Sequence, residues 1–322
     1  MQQITDLIGD ELQQVERGLI DTLSSKVSLI NKVSGYIIES GGKRFRPLMY
    51  LLVARCCKYS GKHNIPLACV FEYIHTATLL HDDVIDQAVT RRGNSSANSV
   101  WGDRASMLVG DFLFSKSFSM LVKIGNLRTM EVISDATTKV AEGETLQTAR
   151  GNDPELTEEE YITIIANKTA SLLEAACQVG AIMGESSPAR ENSFKEYGLN
   201  IGIAFQMADD TLDYVSEDQK FGKAICKDLQ EKKITLPLIH TLREASSKDK
   251  DEILSFLQGD SLNTDDVKRI THLIKEYQGV PYANARARDY IKASFVNLEE
   301  IEPSPAKDAL IATANYVVER KW

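Results

Sequence analysis

The sequence predicts an all-α protein, and three observations carry that expectation. Eight prolines and 19 glycines in 322 residues leave few interruptions, and these are the residues that most strongly punctuate regular structure. Long Ser/Gly/Pro tracts of the kind found in linkers are scarce. Apolar residues recur at helical spacing, as in Tyr161, Ile164, Ile165, Leu172, Ala175 and Ala176. Length alone allows one large domain or two smaller ones.

Taken in order, Gly41 to Pro47 (GGKRFRP) breaks the first helical region, and Pro47 suits the first turn of a helix running from Leu48 to Tyr59. That places Lys43, Arg44 and Arg46 just before a helix start. A second helix is expected from Phe71 to Ala88, with Arg91-Arg92-Gly93 in the following loop. Gly110-Asp111 signals the next, from Phe112 to Val122. Thr157 and Glu160 form a capping box opening a long helix through Ala181. Lys168 falls on or beside the inward stripe of that helix, where it needs an anion or must snorkel to water. Phe194 to Val215 is another inward helix, followed by the charged segment Ser216 to Lys233. Ser246 to Asp251 and Asp260 to Asp266 are expected to be solvated connections.

Lys+Arg total 37 against 46 Asp+Glu, a net charge of −9 with no basic run. That balance excludes nucleic acid as the expected partner, because phosphate backbones are held by clustered cations. Apolar runs such as Ile65 to Phe71 stop short of the roughly 20 residues that span a bilayer. The first ten residues lack the basic start and apolar stretch of a signal peptide, and no lipidation cysteine ends the chain. A cytoplasmic protein is expected. Five cysteines (56, 57, 69, 177 and 226) form no CxxC pair and are expected to be reduced.

The chemistry lies in a repeated motif. Asp82, Asp83 and Asp86 form DDVID, and Asp209, Asp210 and Asp213 form DDTLD. On a helix, positions i and i+4 share a face about 6 Å apart, so Asp82 with Asp86, and Asp209 with Asp213, each make a two-carboxylate clamp. Carboxylates gathered in apolar sequence repel and lose hydration unless cations lie between them. Mg²⁺ uses one or two carboxylates and completes its shell with waters and phosphate oxygens, which points to a diphosphate ligand. Glu72 and His75 give an ExxH spacing, but no second such pair supports a di-iron bundle. Lys43, Arg44, Arg46, Arg91, Arg92, Lys168, Lys223 and Lys233 sit at helix boundaries or beside the aspartates, an arrangement suited to anions.

These stretches resemble the trans-polyprenyl diphosphate synthases, with the long-chain bacterial branch the most similar. The matching segments are GGKRFRP, EYIHTATLLHDDVID (72–86), RRG (91–93), VGDFLFSKSF (109–118), AEGETLQ (141–147), NKTASLLEAA (167–176), FQMADDTLDY (205–214) and KDLQEKKITLPLI (227–239). The resemblance implies one isoprenoid synthase domain over residues 1–322, with about ten or more helices around a central cavity, acting as a homodimer. It implies that Lys43, Arg46, His75 and Arg92 bind isopentenyl diphosphate. Arg91, Lys168, Thr169, Gln206, Lys223 and Lys233 then serve the allylic diphosphate, and three Mg²⁺ ions are held by the aspartates, with Asp82, Asp86 and Asp209 as ligands. The implied reaction extends a primer such as farnesyl diphosphate to a long all-trans product, here octaprenyl diphosphate for a quinone side chain, released with transient membrane contact. Two departures concern one loop: Cys226 and Lys232 stand where the family commonly has glycine.

Helical arithmetic puts Thr78, Ile74 and Phe71 successively below Asp82. The family's size gate corresponds to Ala77, whose small side chain implies a long product. Phe118 and Met120 on the next helix are candidate floor residues. A terpene cyclase would need neither GGKRFRP nor a second aspartate motif, and a non-catalytic partner subunit would have lost metal ligands.

Overall fold

Scarce breakers and helical apolar stripes give the all-α architecture expected of the chain. The computed structural model describes residues 2–215, 226–259 and 262–319, and helix accounts for 80% of the described residues. The order is α1 (Gln2–Thr22), α2 (Ser28–Glu39), α3 (Phe45–Cys56), α4 (Asn64–Ile85), β1 (Thr90–Arg91), β2 (Asn94–Ser95), α5 (Ala97–Trp101), α6 (Asp103–Ile124) and α7 (Leu127–Arg150). It continues with α8 (Glu158–Ile165), a π-helical turn (Ala166–Ala170), α9 (Ser171–Met183), α10 (Pro188–Val215), α11 (Lys227–Gln230), α12 (Leu236–Glu244), α13 (Ser247–Gln258), α14 (Thr264–Glu276), α15 (Gly279–Asn297) and α16 (Pro305–Glu319). The two short strands pair antiparallel, Thr90 with Ser95 and Arg91 with Asn94.

Two units are distinguished. The first comprises Met1–Asp135, Ala175–Phe194 and Ile301–Leu310. Its central element is α4, against which α1, α3, α5 and α6 pack. A helix apolar on all sides must be buried, and Leu67, Val70, Phe71, Tyr73, Ile74 and Ala77 are all inaccessible to solvent. Tyr50 of α3 lies 5.8 Å, ring to ring, from Phe71. The Asp motif at the C-terminal end of α4 is therefore mounted on the best-packed helix of this unit.

The second unit comprises Ala136–Glu174, Lys195–Glu300 and Ile311–Trp322. Its core joins Tyr161, Ile164 and Ile165 of α8, Ile203 and Met207 of α10, Leu238 of α12 and Ile270 of α14. Thr157 caps α8 as its spacing predicts: Thr157 Oγ1 accepts from Glu160 N, and the Glu160 carboxylate accepts from Thr157 N. No disulfide joins the five cysteines.

Several boundaries differ from expectation. Gly110 does not start a helix but lies inside α6, where a Cβ would collide with the His81 ring. Close approach of α6 to α4 is the reason for that glycine. Ser246 and Asn263 are N-caps of α13 and α14, so the polar segments they introduce are largely helix starts. The helix through Lys168 is interrupted by the π-turn. Helix α6 is also long and apolar enough, by length and composition alone, to cross a membrane. Its Val109, Leu113 and Leu121 are buried while it packs along α4.

Replacing an N-cap threonine by alanine typically costs about 1 kcal/mol. Thr157→Ala is accordingly expected to lower the stability of the protein by that order, read from the midpoint of urea unfolding at constant m-value.

Candidate active site

In the first unit, backbone geometry sets the cations of GGKRFRP apart. Gly41 has φ +79°, and a Cβ on Gly42 would lie 2.8 Å from the Arg92 guanidinium. Arg92, itself at φ +52°, donates from Nη1 to the Gly41 carbonyl. The paired glycines thus let Arg92 lie across the turn. Arg44, also left-handed at φ +46°, turns inward to Glu16 and Glu72, leaving Lys43 exposed and Arg46 half-buried.

His75 lies on α4 with four arginines around it. Loss of hydration first, then the charges of Arg46, Arg92, Arg91 and Arg44, push its pKa well below the ordinary histidine value. The neutral form of His75 is therefore favoured, a hydrogen-bonding group beside guanidiniums of which Arg44 and Arg91 are paired with carboxylates.

One turn before the end of α4, the three aspartates separate. Asp82 and Asp86 are half-buried, whereas Asp83 is wholly buried. Asp83 Oδ1 accepts from Arg91 Nε at 2.7 Å and lies 2.6 Å from Arg91 Nη2. Arg91, given by resemblance to the allylic diphosphate, here bridges the loop to the aspartate motif. Below the motif Ala77, Ile74 and Phe71 are buried, Thr78 donates to the His75 carbonyl at 2.7 Å, and Phe118 and Met120 of α6 are half-buried.

In the second unit the site is built around Asp210. Tyr161 donates to its Oδ2 at 2.6 Å and Gln206 Nε2 to its Oδ1 at 2.7 Å, while Thr169 donates to Gln206 Oε1 at 2.9 Å. Asp228 N donates to Asp213 Oδ2 at 2.9 Å. Burial pushes the Asp210 carboxyl up to about 6, with Asp209 and Asp213 adding to the rise against its hydrogen bonds. Burial, then Asp210 and Asp213, push Asp228 up to about 8. Asp213 is also raised, chiefly by burial. A cavity of about 140 Å³ is lined by Ile164, Lys168, Gln206, Asp210, Asp228 and Lys233, among others.

Lys168 and Thr169 sit on the π-turn, a feature that often marks functional positions because it redirects side chains and backbone. Two glycines make room for it. A Cβ on Gly143 of α7 would run into Lys168 N, and one on Gly202 of α10 would lie 2.5 Å from Ala170 Cα. Lys168 Nζ pairs with Glu144 Oε2 at 2.5 Å and Lys233 Nζ with Glu231 Oε2 at 2.8 Å. Cys226 and Lys232 are both left-handed, φ +57° and +56°, so glycine is indeed the easier residue at each. Lys223 lies outside the described residues.

The sequence model of the polyprenyl synthetase family matches residues 27–274. The chain belongs to that family. This polyprenyl synthetase is 36% identical over 321 residues to octaprenyl diphosphate synthase of Escherichia coli K12, covering 99% of both chains. Decaprenyl diphosphate synthase of Rhodobacter capsulatus superposes with a TM-score of 0.93 at 34% identity, covering 98% of each chain. A polyprenyl synthase of Caulobacter crescentus, solved with calcium and isoprenyl diphosphate, gives a TM-score of 0.92 at 34% identity, covering 99% of this chain and 97% of that one. The protein is a prenyltransferase with the all-α isoprenoid synthase fold.

The carboxylates of this polyprenyl synthetase fit a divalent cation. The repulsion that raises Asp210 and Asp228 is what a cation relieves, although among the described residues no three His, Cys, Asp or Glu side chains are grouped so as to hold a metal ion by themselves. An ion bound by few carboxylates keeps positions for phosphate oxygens. Sequence reasoning missed Asp228, inside KDLQEKK, and Tyr161, read only as part of the apolar stripe. It also missed the inward turn of Arg44 and the glycine seat of the π-turn.

Two outcomes are expected. Gly143→Ala forces the π-turn away from α7, so kcat/KM is expected to fall at least about tenfold with helical content retained by circular dichroism. Carboxyls whose folded pKa is raised bind more protons folded than unfolded, so their contribution to stability declines as pH rises from about 4 to about 8. Thermal melts in EDTA are expected to show that decline, and Mg²⁺ is expected to raise the midpoint more at pH 8 than at pH 5.

Proposed function

We propose that the protein is a Mg²⁺-dependent trans-polyprenyl diphosphate synthase that extends an allylic primer, farnesyl diphosphate, with isopentenyl diphosphate to octaprenyl diphosphate. The observation that carries the reading is the pairing of two DDxxD motifs with separate cation sets on the helices of a polyprenyl synthetase. Small buried Ala77 below DDVID supports a long product, and the 36% identity to an octaprenyl synthase supports eight units. The same reading treats residues 1–322 as one catalytic domain, a cytoplasmic homodimer whose product, destined for a quinone side chain, leaves through transient membrane contact.

Asp82, Asp86 and Asp209 are the proposed Mg²⁺ ligands. Magnesium supplies positive charge to the diphosphate that leaves when the allylic C1–O bond breaks. Arg91, Lys168, Thr169, Gln206, Lys223 and Lys233 bind that diphosphate or stabilise the cation left on the prenyl chain. Asp83 and Asp210 act from behind, Asp83 by holding Arg91 and Asp210 by holding Gln206. Lys43, Arg46, Arg92 and neutral His75 hold isopentenyl diphosphate so that its double bond forms the new bond at C1. A proton then leaves the adjacent carbon to the released diphosphate, restoring an alkene. Lys168 reaches its substrate by exchanging Glu144 for phosphate oxygens, which compete well for an ammonium group.

Incubation with farnesyl diphosphate, isopentenyl diphosphate and Mg²⁺ is expected to give a product near C40 by mass spectrometry, and none with EDTA. No product beyond the primer from folded protein would overturn the reading. Asp82→Ala is expected to abolish turnover at every Mg²⁺ concentration. Ala77→Tyr is expected to shorten the product towards fifteen or twenty carbons; an unchanged length would remove Ala77 as the gate.

A further inference from the structure

Three cations lie within the GGKRFRP segment, yet one of them does not face the same surroundings as the others. Arg44 is 6% exposed, while Lys43 is exposed and Arg46 half-buried. Arg44 Nε and Nη2 donate to the two carboxylate oxygens of Glu16 at 2.6 and 3.0 Å, and Nη1 donates to Glu72 Oε1 at 2.8 Å. Nη2 also donates to the Ile38 carbonyl at 2.8 Å. Four of the five N–H groups of a guanidinium are thereby engaged, so little remains to offer a diphosphate.

Its backbone is left-handed at the N-cap of α3, and no side-chain hydrogen bond caps that helix. Residues with a Cβ avoid this conformation unless the surroundings fix it. The fork to Glu16 and Glu72 supplies that restraint, because a bidentate arginine pair has defined orientation as well as attraction. Glu72 is three residues before His75 on α4, one helical turn along the same face. It is 2% exposed, and its Oε2 has no hydrogen-bond partner among the described residues.

We infer that Glu16 and Arg44 are positioning residues for the isopentenyl diphosphate subsite. The strap Glu16–Arg44–Glu72 ties α1 to the start of α3, where Lys43 precedes the helix and Arg46 lies in its first turn, and to the turn of α4 that carries His75. It also commits Arg44 to two carboxylates, so that Lys43, Arg46 and Arg92 are the cations assigned to the substrate. Glu16 lies upstream of residues 27–274, the part matched by the family. Control of substrate affinity thus reaches a residue outside the matched segment. The inference rests on the proposed assignment of Lys43, Arg46, His75 and Arg92.

Steady-state kinetics in Mg²⁺ with each substrate varied in turn test it, on full-length wild type, Glu16→Gln and Arg44→Lys. The side chain of Glu16 is 45% exposed, so Glu16→Gln is compatible with folding, which a thermal midpoint checks. Both variants are expected to raise KM for isopentenyl diphosphate about five- to tenfold, a partial loss of one charge-assisted hydrogen-bond pair, with KM for farnesyl diphosphate within about twofold. A purely structural role would move both KM values together, or neither while the midpoint falls, and either result overturns the inference. Lys43→Gln and Arg46→Gln separate the two levels. If they leave KM for isopentenyl diphosphate unchanged, the subsite assignment itself fails and the inference with it. If they raise it and Glu16→Gln does not, the inference alone fails.

Discussion

Charge gathered on buried helical surfaces is the constraint on which the polar clusters of each unit depend. Removing a carboxylate or guanidinium from water is costly, and like charges side by side add to that cost. The protein meets it internally where it can. Asp83 has Arg91, Asp210 has Tyr161 and Gln206, and Arg44 has Glu16 and Glu72. What remains after these pairings is informative. Around Asp210, Asp213 and Asp228 it is carboxyl groups whose protonated form burial and mutual repulsion favour, and around His75 it is guanidinium groups. Crowded carboxyls are relieved by a cation and crowded guanidiniums by an anion.

Unusual backbone geometry recurs at the same places. Arg44, Arg92, Cys226 and Lys232 are left-handed, Gly41 is left-handed, and the π-turn interrupts the helix at Lys168. A left-handed residue with a side chain costs roughly 1 kcal/mol or more, so each persists because neighbouring contacts over-determine it. Gly42 admits Arg92, and Gly143 and Gly202 admit the π-turn from two helices. Regular helices would carry the same residues but would aim them differently.

The all-α fold, the capping box at Thr157 and the aspartate spacing were legible because each depends on local pattern. Periodicity places Asp82 and Asp86 on one face whatever surrounds them. Gly110 was misread as a helix start because a glycine that breaks a helix and a glycine that admits a neighbouring ring look alike in sequence. The difference is the position of His81, a tertiary fact. The π-turn left no trace for a similar reason: its sequence, ANKTA, is ordinary helix, and the glycines that accommodate it are remote in the chain. Charge and spacing alone do not distinguish Arg44 from Arg46 in GGKRFRP, and the location of Glu16 and Glu72 is what anchors Arg44.

Cys226 and Lys232 show how a departure from a family pattern is accommodated. Glycine at either position would relieve the left-handed strain, yet it would also enlarge the conformational freedom lost on folding. The side chains present have gained contacts that a hydrogen atom could not make. Cys226 is fully buried with Sγ 3.5 Å from Thr271 Oγ1, and Lys232 Nζ donates to the carbonyls of Leu257 and Gly259 at the end of α13. Between these two anchors lies Asp228, and directly after the second comes Lys233, which donates its backbone N–H to the Asp228 carbonyl at 2.7 Å. The segment carrying both groups is therefore fixed by its attachments to α13 and α14, which replace backbone adaptability with side-chain packing as the means of placing the carboxylate and the ammonium.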